Sequence, residues 1–159
     1  MQSENLQIAK NIKRLAIEVG FTACGIAPAA KLTVDAIRLR KWLDEGMHAG
    51  MHYMENHFEK RIDPQQLVPG AKSVLVVLLN YYSPDIHQDE NNLIISKYAY
   101  GRDYHKIMKK MMKRFLEAIN ANIEPLQGRV FIDSAPVLER AWAARAGLGW
   151  IGKNANLQD

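Results

Sequence analysis

Apolar residues recur at helical spacing near the N-terminus, at Leu6, Ile8, Ile12, Leu15, Ala16 and Val19, and Gly20 follows as a stop signal. The spacing predicts a helix over 5–19. FTACGIA (21–27) reads as a short strand, and VDAIRLRKWLDE (34–45) returns to helical period before Gly46. GMHAGMHYMENHFEK also reads as helical, although Gly50 sits inside it. Residues 61–72 carry Pro64, Pro69 and Gly70 and form a loop. SVLVVLLNYY (73–82) is apolar almost without interruption, the pattern of a strand buried on both faces. A polar loop (83–92), a strand (93–100), a long helix (103–121), a strand (128–133), a helix (135–147) and a closing loop complete the pattern. Strands alternating with helices in one short chain predict an α/β sandwich without a sharp internal boundary, a single domain over 1–159.

Composition narrows the class. The chain has 159 residues, 48% hydrophobic and 24% charged, which suits a soluble domain with its own core. No apolar run approaches the ~20 residues of a spanning helix. The N-terminus opens as an amphipathic helix rather than a secretory signal, so a cytoplasmic protein with no membrane partner is expected. Cys24 is the sole cysteine, in small apolar surroundings, and reads as a buried structural thiol. One thiol cannot form an internal disulfide and cannot by itself hold an iron–sulfur cluster or a structural zinc.

Several clusters carry candidate chemistry. His48 and His52 stand four apart with His57 beyond them, but no glutamate lies between them in the metalloprotease pattern, so no metal site is assigned. The net charge is +4, and its distribution matters more than its size. Lys106, Lys109, Lys110, Lys113 and Arg114 share one face of the long helix, opposite Ile107, Met108, Met111, Met112 and Phe115. Five like charges on one face suit a phosphate backbone, or simply a solvated surface. In SKYAYGRDYHK, Asp103 is an N-cap candidate, while Arg102 and the tyrosines could wall a polar pocket.

VFIDSAPVLER ends an apolar run on a carboxylate, Asp133. Asp133 or Ser134 could cap a helix starting near Pro136, which would favour an ionised acid. A general acid at the same position would need the opposite, a retained proton. AGLGWIGKN interleaves three glycines with Leu148, Trp150 and Ile151 before Lys153 and Asn154, a sign of close backbone approach.

KYAYGRDYHK, FIDSAPVLERAWAARAGLGWIGKN and LVPGAKSVLVV together resemble the epoxyqueuosine reductase family, over nearly the whole chain. The resemblance implies the N-terminal, cobalamin-binding portion of an enzyme that reduces epoxyqueuosine to queuosine in tRNA, on a fold resembling the nitroreductase-like and cobalamin-processing folds. It implies Asp133 as proton donor, with Tyr98, Arg102, Ser134, Lys153 and Asn154 around the corrin or substrate. Lys106, Lys109, Lys110, Lys113 and Arg114 become the expected tRNA-facing residues. The family also carries two 4Fe–4S clusters, which this one-cysteine chain cannot hold. Electrons must then reach it through a missing or separate iron–sulfur domain, and the chain should not turn over alone. A stand-alone cobalamin-, flavin- or tRNA-binding module is the alternative, with homodimer formation through exposed edges expected of a fragment.

Overall fold

A computed structural model describes residues 2–82, 99, 101–123, 125–133 and 135–158. The expected polar loop (83–92), most of the expected strand (93–100), Tyr98 and Ser134 lie outside the described residues. The described elements are α1 (Gln2–Val19), β1 (Ala23–Pro28), α2 (Thr33–Asp44), α3 (Phe58–Ile62), β2 (Ser73–Leu78), α4 (Tyr104–Asn122), α5 (Glu139–Arg145), β3 (Trp150–Ile151) and β4 (Leu157–Gln158). The fold class is α/β, with two two-stranded sheets among the described residues, β1 beside β2 and β3 beside β4. No helix among them is long and apolar enough to cross a membrane.

The chain separates into two compact units, Met1–Ala23 with Leu78–Ile132, and Cys24–Val77 with Asp133–Asp159. In the first, α1 packs on α4. Ile12, Leu15 and Ala16 are buried at the i, i+3, i+4 spacing that put them on one stripe, and Phe115 and Ile119 are buried from α4. Phe21 meets Phe115 edge to face, with ring centroids 5.9 Å apart. Helix α1 ends as its sequence demands. Gly20 takes φ +110°, its N–H bonds to the Ile17 carbonyl at 2.9 Å and that of Phe21 to Ala16 at 3.1 Å. This paired closure is open to glycine without strain and buries Phe21 beyond it. Asp103 caps α4, accepting from the His105 N–H at 3.0 Å.

The second unit holds two apolar clusters. Ala27, Leu32, Ala141 and Trp142 form one, with Val74, Val76, Val137, Leu138 and Ala146 against it. Leu39, Leu43 and Ile62 form the other, backed by Trp42, Met54 and Phe58. Gly25 of β1 lies so close to the end of α5 that a Cβ there would sit 2.7 Å from both the Ala146 Cβ and its carbonyl oxygen. Cys24 is buried beside it.

Four expected elements differ from the structure. Residues 46–60 are not one helix, because Gly46, Ala49 and His57 adopt positive φ and break it into turns, a 3-10 turn at His52–Met54 and the short α3. The strand from 73 ends at Leu78 and its apolar residues are half-buried rather than enclosed, since β2 has one strand neighbour among the described residues. Residues 128–133 form no ladder with the described residues, and extended chain becomes strand only when a neighbour takes its backbone groups. The closing loop is partly a hairpin, Trp150 opposite Gln158 and Ile151 opposite Leu157. One core assignment also changes, since Ile107 is 41% exposed rather than buried on the inner face of α4.

Candidate functional site around Asp133 and α5

Helix α5 begins at Glu139, three residues after Pro136. The Val137 N–H turns back onto the Ala135 carbonyl at 2.8 Å, and the first helical bond runs from Trp142 to Leu138 at 3.0 Å. Leu138 occupies the N-cap position with no side-chain cap, so Asp133 is not a capping residue of this helix. Its own conformation is the unusual one. Asp133 has φ +47°, a left-handed backbone that costs about 1 kcal/mol in a non-glycine residue, though aspartate tolerates it better than most.

What holds it there is Glu139. The backbone N–H of Asp133 donates to Glu139 Oε1 at 2.9 Å, so the first turn of α5 fastens the end of the apolar run. Burial pushes the Glu139 carboxyl above its ordinary range, and the neighbouring Asp133 carboxyl pushes it further by side-chain contact and charge, against the lowering effect of the backbone bond. Asp133 itself is exposed.

The next residue on α5 fastens a second segment. Arg140 donates from Nη1 to the Ala155 carbonyl, in the loop joining β3 to β4. That loop closes through Gly152 N–H to the Asn156 carbonyl at 2.8 Å and Ala155 N–H to the Gly152 carbonyl at 2.9 Å. Asn154 Oδ1 accepts from Asn156 N–H at 3.2 Å, and a Cβ at Gly152 would lie 2.8 Å from that oxygen. Glycine at 152 is therefore a matter of room for Asn154. Lys153 and Asn154 are exposed, as is Trp150, at 62%.

Consecutive residues of α5 thus tie down Asp133 on one side and the Lys153–Asn154 loop on the other. Arg102 is exposed in the first unit, just ahead of the α4 cap. Asp103 is held below the usual carboxylate range by its hydrogen bonds to the His105 side chain and backbone. The basic residues Lys106, Lys109, Lys110, Lys113 and Arg114 are all exposed, and none forms an ion pair among the described residues. Glu139 and Arg140 were the functional-site residues that periodicity did not single out.

The histidines converge by a different route from the helix expected of them. His48 Nε2 lies 2.6 Å and His52 Nδ1 3.1 Å from the same oxygen of Glu55, and their ligand atoms all fall within 4.8 Å of one another. Glu55 is held below its ordinary range by those two bonds, His52 first. Glu55 joins the two rings directly, while the buried His48 Nδ1 has no hydrogen-bond partner among the described residues, and His57 is not part of the group.

Comparison with known proteins places these residues in a family. A model described as epoxyqueuosine reductase QueG, DUF1730, matches residues 61–134. An epoxyqueuosine reductase of Leadbetterella byssophila is 52% identical over 149 residues, which is 94% of this chain and 49% of the relative. The chain therefore spans about half the length of the curated relatives it matches. Among solved structures, epoxyqueuosine reductase from Streptococcus thermophilus superposes with a TM-score of 0.83 at 26% identity, covering 95% of this chain and 41% of that one. An epoxyqueuosine reductase with a tRNA-Tyr epoxyqueuosine-modified stem loop shares the fold, with a TM-score of 0.81 at 22% identity over 96% of this chain and 41% of that one. Over the half-length that it spans, the chain belongs to the epoxyqueuosine reductase family.

Proposed function

We propose that this chain is the cobalamin- and substrate-binding portion of an epoxyqueuosine reductase, a single functional module that acts on tRNA in the cytoplasm. The observation that carries this reading is the 52% identity to a named epoxyqueuosine reductase across 94% of the chain. Reduction of the epoxide to the alkene takes two electrons and two protons and releases the oxygen as water. A bound, low-valent cobalamin would supply the electrons. The chain's own contribution is positional and acid–base: Asp133 is the proton donor to the departing oxygen, supported by its exposure and by the anchoring of its backbone on Glu139.

The β3–β4 hairpin offers apolar and polar surface of the kind that would hold a corrin. Trp150 and Ile151 are exposed apolar surface beside exposed Lys153 and Asn154, and Arg140 holds the loop that carries the latter two. Tyr98, Arg102 and Ser134 are proposed as corrin or substrate contacts on the family resemblance alone. The residues do not fit an iron–sulfur cluster. A 4Fe–4S centre takes four thiolates, and the chain has one cysteine, buried at 7% exposure. The electron route is accordingly assigned to an iron–sulfur domain missing from these 159 residues or separate from them.

For tRNA, the exposed stripe of Lys106, Lys109, Lys110, Lys113 and Arg114 is the proposed contact to the phosphate backbone. Anaerobic titration with cob(II)alamin and, in parallel, with flavin mononucleotide tests the cofactor assignment. A saturating shift of the corrin bands with no flavin binding is expected. Flavin binding without a corrin shift would replace the assignment with a flavin module.

A further inference from the structure

We propose that Glu139 is the positioning residue of this site, holding the backbone of Asp133 through its carboxyl. The inference rests on the reading of Asp133 as proton donor and extends it to the residue that holds Asp133 in place.

Two features of the structure carry it. The Asp133 N–H donates to Glu139 Oε1 at 2.9 Å while residue 133 holds a left-handed backbone at φ +47°. An alternative backbone conformation would break that bond, so the carboxyl selects the observed one. The side chains also meet: a hydrogen bond between the two carboxyls is among the causes that raise Glu139. The charged group facing Glu139 is Asp133, at the end of the 125–133 stretch, and the adjacent Arg140 of α5 is committed to the Ala155 carbonyl. A glutamate in the first turn of a helix is ordinarily favoured as an anion. Here burial and the neighbouring Asp133 oppose that and raise the Glu139 carboxyl above its ordinary range.

The test uses the 159-residue chain and its Glu139→Gln, Glu139→Ala and Asp133→Asn variants. Amide exchange at residue 133 is read by NMR, and the Glu139 carboxyl is titrated by its ¹³C shift. Glutamine keeps an acceptor oxygen, so Glu139→Gln should leave amide 133 protected, whereas Glu139→Ala should speed its exchange by about tenfold, the loss of one hydrogen bond. Glu139 should titrate above the ordinary glutamate range in the parent chain and return toward it in Asp133→Asn. An unprotected amide 133 in the parent chain overturns the proposal. So does a Glu139 titration that Asp133→Asn leaves unmoved, and this readout stands even where Glu139→Ala fails to fold. A cob(II)alamin titration of the same samples keeps the two readings apart. Absence of corrin binding, with amide and carboxyl behaving as described, sinks the cofactor reading and supports the hold of Glu139 on Asp133.

Discussion

Substituting Gly25 by alanine should destabilise the second unit without adding or removing any polar group. The added Cβ would lie 2.7 Å from the Ala146 Cβ, 2.7 Å from the Ala146 carbonyl oxygen and 2.8 Å from the Leu148 Cγ. Ordinary van der Waals contact begins near 3.4 Å, so the closest neighbours must retreat by about 0.7 Å. The two closest cannot do so by rotating a side chain, since one is a backbone oxygen and the other a Cβ. Either β1 or the segment after α5 has to shift as a body. Overpacking of this kind costs about 1–3 kcal/mol, and the upper half of that range applies when backbone is displaced. For a chain of this size each kcal/mol lowers Tm by about 2–4 °C, so a fall of roughly 4–12 °C is expected by thermal unfolding followed by circular dichroism. The Ala146 that would be pushed follows directly on the helix that carries Glu139 and Arg140, so amide exchange at residue 133 should rise as well. A Tm unchanged within error would mean that β1 and the end of α5 do not approach as described, and the packing argument for α5 would fail.

Other consequences are open to measurement. Phe115→Ala, removing a ring that is 3% exposed and stacked edge-on against Phe21, should cost about 3–5 kcal/mol in urea unfolding, and a loss below about 1 kcal/mol would contradict the α1–α4 core. Glu139 titrates above its ordinary 4.5 in the folded chain, so the folded state binds the extra proton and stability falls as pH rises from that value through the raised folded pKa. Glu139→Gln should flatten this slope, and a slope identical to the parent's would show that Glu139 is not its source. Reversing Lys109, Lys110 and Lys113 to glutamate should weaken binding of a queuosine-type anticodon stem loop by about a hundredfold at low salt and reduce the salt dependence, and unchanged affinity would leave the stripe a solvated face.

Much of the fold was legible because it rests on local periodicity. The residues burying α1 and α4 follow directly from their i, i+3, i+4 spacing, and Gly20 and Asp103 carry end signals that need no tertiary partner. The misread elements depend on information that spacing does not contain. Nothing local in residues 46–60 announces that Ala49 and His57 take left-handed backbones, conformations that helix periodicity cannot register. The delayed start of α5 reflects the tight turn of Val137 onto Ala135 rather than a capping side chain, which is why Asp133, a cap candidate for a helix starting near Pro136, does not cap it.

The site was legible as a set of segments and not as a connection between them. Asp133 and the Lys153–Asn154 loop stood out by their settings. Their common attachment to Glu139 and Arg140 runs over six and fifteen residues, separations with no helical or strand period. An acid six residues after Asp133 on the helix that follows was the one available signal for Glu139. Glu55 was missed for a related reason, because the histidines were read as a helix face and the structure instead folds a turn around a carboxylate.

The most direct test of the central claim is an anaerobic visible-spectrum titration of the 159-residue chain with cob(II)alamin, with folding checked by circular dichroism on the same sample. A saturating shift of the corrin bands at micromolar protein, weakened by Trp150→Ala, is the predicted result. A folded chain that leaves the corrin spectrum unmoved would contradict the claim that these residues form a cobalamin site.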